Sequence, residues 1–392
     1  MGKTADVVVI GAGVNGCSIA YHLAKKGIKK VMLVEQQYVA SGPTGRSSGI
    51  VRQHYTIEVL AQMALYSLQV FQRFGEEIGG SAAFVQTGYL CVASEANAAT
   101  LKKTVAMQQR VGIKTSVLSP DELRRLEPLM YCDDLACGAY EPDSGYADPA
   151  LAANSFCEAA RALGVEWLPR TRVTGLKVAR GHLQGVLTSA GEIATDIAIN
   201  VAGPWGSRIA ALAGVEIPIR PSRHPVVLLR RPPRWRNPIP VVNDFVTGAY
   251  LKPEGESNSV VGSLSPEEGK EPADPDAYAE IPDYQTTVEF SEKIMKRFPV
   301  MSEALVQGGW AGIYDVTPDW TPVIGQMGEV RGLYCAVGFS GHGFKLSPAV
   351  GRMMSDLVVE GICPRFDIRP FRLSRFQEGQ LTRGQYAYSI IG

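Results

Sequence analysis

Residues 6–35 read DVVVIGAGVNGCSIAYHLAKKGIKKVMLVE and contain the clearest structural pattern of the sequence. Residues 6–10 are mostly β-branched and apolar, as in a buried strand of a parallel sheet. A helix is predicted from about residue 14 to 26, where Gly27 closes it, and a second apolar strand covers residues 31–35. A strand, a helix and a strand in this order predict a βαβ unit.

Three glycines follow the first strand at the spacing GxGxxG. Gly11 permits a tight turn, Gly13 lets a pyrophosphate approach the backbone, and Gly16 lets the helix pack close to the strand. The phosphates would lie at the free N–H groups of the helix N-terminus. Glu35 ends the second strand, where its carboxylate would bind ribose hydroxyls and repel the 2′-phosphate of NADP. Because all these elements are in register, we predict a dinucleotide site here and not a purely structural turn.

Two further glycine-rich stretches favour FAD over NAD. Residues 44–49, TGRSSG, follow soon after the second strand and suit a long diphosphate-flavin. Residues 338–345, GFSGHGFK, precede another predicted helix. Glycines there allow backbone amides to approach the pyrimidine edge of a flavin, and the helix N-terminus would stabilise the charge of the reduced ring.

Further helices are predicted from the spacing of apolar residues and from end signals. One covers about residues 57–78, one begins after an Asp148 N-cap with Pro149 in its first position, and one covers about residues 347–360. Between these helices the sequence predicts short strands that alternate with glycine turns and polar loops.

Composition excludes several classes of partner. Lys+Arg and Asp+Glu both number 39, so no overall charge favours nucleic acid or an anionic membrane. The one basic stretch, residues 220–236, is interpreted as a strand crossing between domains followed by an exposed loop. Residues 7–24 hold too many glycines and polar residues for a membrane span. The seven cysteines contain no CxxC pair and predict neither a disulfide framework nor a metal site, so we expect a soluble cytoplasmic protein.

Several short motifs occur together and in order along the chain. They are IVR at 50–52, AGPW at 202–205, GWAG at 309–312, TPD at 317–319 and GFSGHGFK at 338–345. Together with the N-terminal glycine turn, they resemble the sarcosine oxidase / D-amino-acid oxidase type of FAD-dependent oxidoreductase. The nearest members are sarcosine oxidases, including the β subunit of the multi-subunit form, and related secondary-amine dehydrogenases. The resemblance extends to about residue 376.

The resemblance implies an α/β fold with a discontinuous Rossmann-like FAD-binding domain. A second α+β domain with an antiparallel sheet would cover the flavin. The expected segments are 1–82, 145–220 and 321–375 for the FAD-binding domain, 83–144 and 221–320 for the substrate domain, and 376–392 for a C-terminal tail.

The resemblance also implies a substrate site. Arg52 and Lys345 would hold a substrate carboxylate by charge-assisted hydrogen bonds and fix the amine beside flavin N5. Tyr314 would line the pocket, and Lys252 would assist the reaction with oxygen. The alternatives stay open: Arg52 as a ligand of the FAD phosphates, Lys345 as a flavin-edge or surface lysine, Tyr314 as core packing, and a structural Lys252.

The remaining candidates would hold FAD. They are Gly11, Gly13, Val14, Asn15, Gly16, Glu35, Gln36, Thr44, Arg46, Ser47, Ser48, Gly49, Val173, Ala202, Gly203, Trp205, Gly312, Gly341, His342, Gly343, Phe344 and Lys345. Some monomeric members of the family attach flavin to a cysteine two residues before the pocket tyrosine, where this chain has Gly312. Non-covalent FAD is therefore expected.

The expected reaction is oxidation of the C–N bond of a small N-methyl or cyclic amino acid, such as sarcosine or proline, to an imine. One rival is oxidation of a primary D-amino acid or glycine, and another is a non-catalytic FAD-binding subunit or assembly factor. Oxygen, a quinone or a partner subunit would accept the electrons. The sequence is compatible with a homo- or hetero-oligomer, and we expect no nucleic-acid partner.

Overall fold

The computed structural model of the protein describes residues 3–236, 238–265 and 272–386. Within these ranges lie nine α-helices and twenty-one β-strands, arranged in four sheets. The six-stranded and eight-stranded sheets are the largest, and together they position the site.

The six-stranded sheet is parallel except for the pair formed by its last two strands. In spatial order it comprises β10 (Glu166–Leu168), β3 (Val31–Val34), β2 (Val7–Ile10), β14 (Ala198–Asn200), β21 (Leu333–Val337) and β20 (Val323–Gln326). Its central strands are fully buried, as expected when helices cover both faces of a parallel sheet. Because its strands come from distant parts of the chain, the predicted discontinuous Rossmann-like fold is confirmed.

The first helix of the βαβ unit, α1 (Val14–Lys25), packs against α6 (Pro149–Ala162) and α9 (Gly343–Glu360). The helices of this half are α1 (Val14–Lys25), α2 (Glu58–Gln72), α3 (Phe74–Glu77), α6 (Pro149–Ala162), α7 (Gly206–Ala211) and α9 (Gly343–Glu360). Asp148 caps α6 as predicted, accepting the N–H of Leu151 at 2.9 Å.

Two predicted helix bounds are wrong. The helix expected over 57–78 is interrupted at Arg73, whose φ of −120° and ψ of 30° are not helical. The last helix begins at Gly343, four residues earlier than predicted, so Phe344 and Lys345 lie in its first turn. The glycine loop therefore forms the start of α9 itself.

Two smaller sheets flank this half. The four-stranded sheet comprises β1 (Lys3–Thr4), β13 (Gly191–Ala194), β12 (His182–Thr188) and β11 (Val173–Ala179). The three-stranded sheet comprises β4 (Ile50–Val51), β9 (Gly145–Tyr146) and β5 (Val85–Gln86). Strand β4 leads directly into Arg52.

The eight-stranded sheet is antiparallel except where β16 pairs with β6. In spatial order it comprises β19 (Leu305–Val316), β15 (Arg220–Arg230), β18 (Asn258–Ser263), β17 (Ala249–Glu254), β16 (Val241–Asp244), β6 (Tyr89–Ala93), β8 (Cys137–Glu141) and β7 (Ser116–Leu118). Its helices are α4 (Glu95–Val111), α5 (Pro120–Leu126) and α8 (Tyr284–Arg297). The second domain with an antiparallel sheet is thus present, while the residue bounds given above for the domains remain predictions.

The TPD motif ties the C-terminal segment to the fold. Asp319 is buried and forms two hydrogen bonds, of 2.8 and 3.0 Å, with the guanidinium of the fully buried Arg375. The predicted tail, residues 376–392, is described as far as Tyr386, and the rest of it lies outside the described residues. Among the described helices, none combines the length and apolarity that crossing a membrane would need.

Candidate active site

A cavity of about 630 Å³ lies where the carboxyl ends of β2, β3 and β14 face the eight-stranded sheet. This volume is within the ~300–1,000 Å³ of typical ligand pockets. The carboxyl ends of parallel strands are where open α/β sheets bind ligands. The cavity is therefore the candidate active site.

Most of the predicted cofactor residues line this cavity. They are Gly11, Gly13, Val14, Asn15, Glu35, Gln36, Thr44, Arg46, Ser47, Ser48, Val173, Ala202, Gly203, Trp205, Gly312, Gly341, Gly343 and Phe344, and the predicted pocket residue Tyr314 joins them. The predicted residues outside its lining are Gly16, Gly49, Arg52, Lys252, His342 and Lys345.

The first glycine turn has no room for side chains. Gly11 has φ of +109°, and a Cβ on it would lie 2.6 Å from the Val201 carbonyl oxygen. A Cβ on Gly16 would lie 1.9 Å from the Gly11 carbonyl oxygen. Gly16 therefore acts in packing α1 against the turn, which explains why it does not line the cavity.

Glu35 is held by the backbone around it. Its Oε2 accepts the N–H of Ala12 and its Oε1 accepts the N–H of Gln37, both at 2.9 Å. A carboxylate can accept about four hydrogen bonds, so each oxygen retains acceptor capacity. Glu35 lines the cavity with that capacity, as the ribose role requires.

The TGRSSG loop joins the two large sheets. Thr44 Oγ1 accepts the N–H of Val14 at 3.1 Å, and Arg46 forms an ion pair with Glu280 at 2.7 Å. The Arg46 carbonyl accepts the indole N–H of Trp310 in β19 at 2.8 Å. The loop is thus fixed between the first glycine turn and the antiparallel sheet.

Asp315 organises the second glycine loop. Its buried carboxylate accepts the N–H of Gly338 at 2.7 Å and that of Ser340 at 3.2 Å. Burial raises the pKa of Asp315 to about 6, against the opposing effect of these hydrogen bonds. Asp315 follows Tyr314 in β19, so the pocket tyrosine and the loop at the start of α9 are held together.

Tyr314 stacks on His224, with ring centroids 3.7 Å apart and an interplanar angle of 17°. Both line the cavity, and they come from the paired strands β19 and β15. A Cβ on Gly341 would lie 2.5 Å from the Tyr314 ring, so only glycine fits beside it. His224 is not among the residues that the sequence predicts for the site. Ser222, His224 and Val226 are buried at every second position of β15, and this period of two is the pattern that could have indicated it.

The residues that line the cavity fit FAD. Glycines at the turn before α1 leave backbone at the cavity wall, and α1 begins without a side-chain cap or a first-turn carboxylate. Its amide groups can therefore serve an anionic phosphate. Helix α9, which follows the second glycine loop, also begins without a side-chain cap. The backbone amides of Gly343 and Phe344 line the cavity and can likewise serve an anionic group.

Arg52 and Lys345 are both buried and lie outside the cavity lining. Their exposed fractions are 4% and 7%. Burial, and to a smaller extent the charge of Arg52, lowers the pKa of Lys345 well below its usual range. The neutral form of Lys345 is therefore favoured, and a bound anion would favour its charged form.

A buried polar cluster adjoins Arg52. Glu141 accepts the N–H of Gln53 at 2.8 Å and the hydroxyl of Ser144 at 2.7 Å. Burial raises its pKa to about 7. His54 Nδ1 lies 3.9 Å from the other Glu141 oxygen. Burial, and to a smaller extent the charge of Arg52, lowers the pKa of His54 to about 3. His54 is therefore neutral at physiological pH.

Lys252 contacts Glu254 and Tyr146. Its ammonium forms an ion pair with Glu254 and lies 4.7 Å from the Tyr146 ring centroid. Burial lowers its pKa. Tyr250 lies two residues earlier on the same face of β17 and lines the cavity, whereas Lys252 does not. The role of Lys252 with oxygen stays a prediction.

Comparison with known proteins agrees with this geometry. The family model described as "DAO: FAD dependent oxidoreductase" matches residues 6–357. Mitochondrial sarcosine dehydrogenase of Mus musculus is 31% identical over 383 residues, covering 95% of this chain and 42% of that protein. The chain thus spans less than half the length of that relative. Sarcosine oxidase subunit beta of Rhodobacter capsulatus is 29% identical over 398 residues, covering 99% of this chain and 92% of that protein.

A solved structure is similar over the whole fold. The crystal structure of L-proline dehydrogenase from P. horikoshii has a TM-score of 0.89 and 32% sequence identity. The match covers 97% of this chain and 100% of that one.

Proposed function

The chain belongs to the DAO family of FAD-dependent oxidoreductases, and from this premise we propose that it oxidises the C–N bond of a small secondary amino acid, such as sarcosine or proline. Bound FAD would supply the acceptor for a hydride from the carbon next to nitrogen. The product would be an imine, which water hydrolyses. The names of the relatives, sarcosine dehydrogenase and L-proline dehydrogenase, support this substrate class.

The single observation that carries the proposal is that Arg52 and Lys345 are both buried and that the charge of Arg52 acts on Lys345. Two converging cations bind a carboxylate by charge-assisted hydrogen bonds and orient it more strictly than one. The amine end of the same small molecule would then extend toward the cavity. Tyr314 and His224 would form an aromatic wall there.

The protein residues divide the work between binding and orientation. The glycine turns and Glu35 would hold the dinucleotide part of FAD, while Arg52 and Lys345 would hold the substrate carboxylate. Holding both partners in one geometry lowers the entropic cost of their encounter. No general base is needed if the substrate amine binds deprotonated, since the nitrogen lone pair then assists departure of the hydride.

A panel of amines under anaerobic conditions tests the proposal. Sarcosine, L-proline, glycine, a D-amino acid and N-methylpropylamine are mixed separately with the purified holoprotein, and the visible absorbance of oxidised flavin is followed. The proposal expects fastest bleaching by sarcosine or L-proline and slow bleaching by N-methylpropylamine, which has no carboxylate. Faster bleaching by glycine or the D-amino acid would favour the first rival, and no bleaching by any amine would favour a non-catalytic subunit.

Reoxidation of the bleached protein identifies the electron acceptor. Recovery of the absorbance on admission of air indicates oxygen, and recovery only with an added quinone indicates a dehydrogenase.

We also propose a reducing compartment such as the cytoplasm, supported by seven cysteines that are all free in the structure.

A further inference from the structure

Residues 382–386 of the C-terminal segment fold back onto the segment that carries Arg52. The Thr382 N–H donates to Asp319 at 3.0 Å, and its carbonyl accepts the Thr321 hydroxyl at 2.8 Å. Three residues later, the Gln385 N–H donates to the Thr56 hydroxyl at 3.0 Å. These contacts anchor the segment at both ends.

Tyr386 enters the buried cluster beside Arg52. Its hydroxyl lies 3.0 Å from His54 Nε2, and the two rings are stacked with centroids 5.8 Å apart. Phe245 also packs against the Tyr386 ring, with centroids 4.7 Å apart. Tyr386 is buried in this cluster.

His54 connects Tyr386 to Arg52. The Arg52 guanidinium donates a hydrogen bond to the His54 carbonyl, and its carbon lies 4.5 Å from the Tyr55 ring centroid. The orientation of the guanidinium thus depends on the backbone at His54. The Tyr386 hydroxyl holds the His54 ring and restrains that backbone.

We propose that residues 382–386 are part of the substrate site and that Tyr386 is a positioning residue, which fixes Arg52 through His54 for binding a carboxylate. The proposal rests on the proposed function, because it assumes that Arg52 binds the substrate carboxylate. The physical basis is that a bidentate guanidinium–carboxylate contact tolerates displacements of only about 0.5 Å. Holding Arg52 requires a second layer of contacts, and Tyr386 supplies one from a distant part of the sequence.

Tyr386→Phe in the full-length holoprotein tests this inference, because it removes the hydroxyl and keeps the ring packing. Dissociation constants for propionate are measured from the perturbation of the flavin spectrum. We expect weaker propionate binding by about three- to thirtyfold, the loss of one buried hydrogen bond. FAD content should match wild type, and in flavin reduction by sarcosine the effect should appear in the concentration dependence more than in the limiting rate. Tyr284→Phe is the matched control, since Tyr284 is 85% exposed, and it should bind propionate as wild type does.

Two further variants separate the possible outcomes. Thr56→Val removes the acceptor of the Gln385 N–H and should also weaken propionate binding. Arg52→Lys tests the proposed function itself. Combined with Tyr386→Phe it should show a non-additive effect, because both changes act on the same contact.

The outcomes distinguish the two ideas. If Arg52→Lys weakens propionate binding while Tyr386→Phe and Thr56→Val do not, the role of the C-terminal segment is wrong and the proposed function stands. If Arg52→Lys itself binds propionate as wild type does, the proposed carboxylate site is wrong and this inference falls with it. Loss of FAD or of the limiting rate in Tyr386→Phe, in proportion to the loss of propionate affinity, would show a purely structural role and overturn the inference.

Discussion

Glu35 accepts the backbone N–H of Ala12 at 2.9 Å, across the first glycine turn. The residue that would bind ribose is therefore positioned by the turn that would bind the pyrophosphate. A second bond, from the N–H of Gln37, fixes the other carboxylate oxygen. The two halves of the dinucleotide site are therefore held together by this hydrogen bond.

Replacing Glu35 by alanine should weaken FAD binding without changing substrate preference. Loss of a charge-assisted bond of ~1.5–3 kcal/mol corresponds to an FAD dissociation constant roughly ten- to 150-fold higher. The apoprotein should also melt at a lower temperature, because two backbone N–H groups lose their acceptor. Glu35→Gln keeps an acceptor oxygen and should lose less. An unchanged FAD dissociation constant in Glu35→Ala would remove Glu35 from the site.

FAD should be released by acid precipitation of the purified protein. Gly312 has no side chain to form a thioether, and none of the seven cysteines lines the cavity. Yellow flavin should appear in the supernatant, as measured by its absorbance. Flavin that stays on the washed pellet would show a covalent bond.

Glu141 should make the protein less stable at high pH. Burial raises its pKa to about 7 from an ordinary value of 4.5, so the folded state binds this proton more tightly than the unfolded state. Its favourable contribution is complete below pH 4.5 and is lost as the pH rises through 7, by about 3 kcal/mol. Glu141→Gln should therefore gain stability relative to wild type between pH 5 and pH 8.

Urea unfolding at both pH values measures this difference. The glutamine oxygen can keep the bonds from Gln53 and Ser144, and its NH₂ would face the neutral His54. Glu76→Gln, at an exposed position, is the control. A pH profile of Glu141→Gln parallel to that of wild type would refute the assignment.

The sequence predicted the first half of the site better than the second. The GxGxxG turn and Glu35 are local features, each interpretable from its immediate neighbours along the chain, and the structure brings them to one cavity. The stacking of His224 on Tyr314 depends on the register of β15 against β19, which no local pattern specifies. The contact of Tyr386 with His54 could not be predicted, because it joins residues 332 positions apart.

Binding of a carboxylate should take up protons from solution. Burial and the charge of Arg52 favour the neutral form of Lys345, while a bound carboxylate favours the charged form. Propionate affinity should therefore fall as the pH rises. Calorimetric titration at pH 8 in two buffers of different ionisation enthalpy measures the protons taken up. Uptake should be present in wild type and absent in Lys345→Met; equal values in the two proteins would contradict the assignment.

The most direct test of the account is anaerobic flavin reduction in Lys345→Met, with sarcosine and N-methylpropylamine compared at varied concentration. Removing one partner of a desolvated charge pair costs about 2–5 kcal/mol, or roughly 30- to several-thousand-fold in affinity. We expect a loss of that size for sarcosine, almost none for N-methylpropylamine, and retained FAD. Wild-type affinity for sarcosine in Lys345→Met would contradict it and would indicate a neutral or cationic amine as substrate.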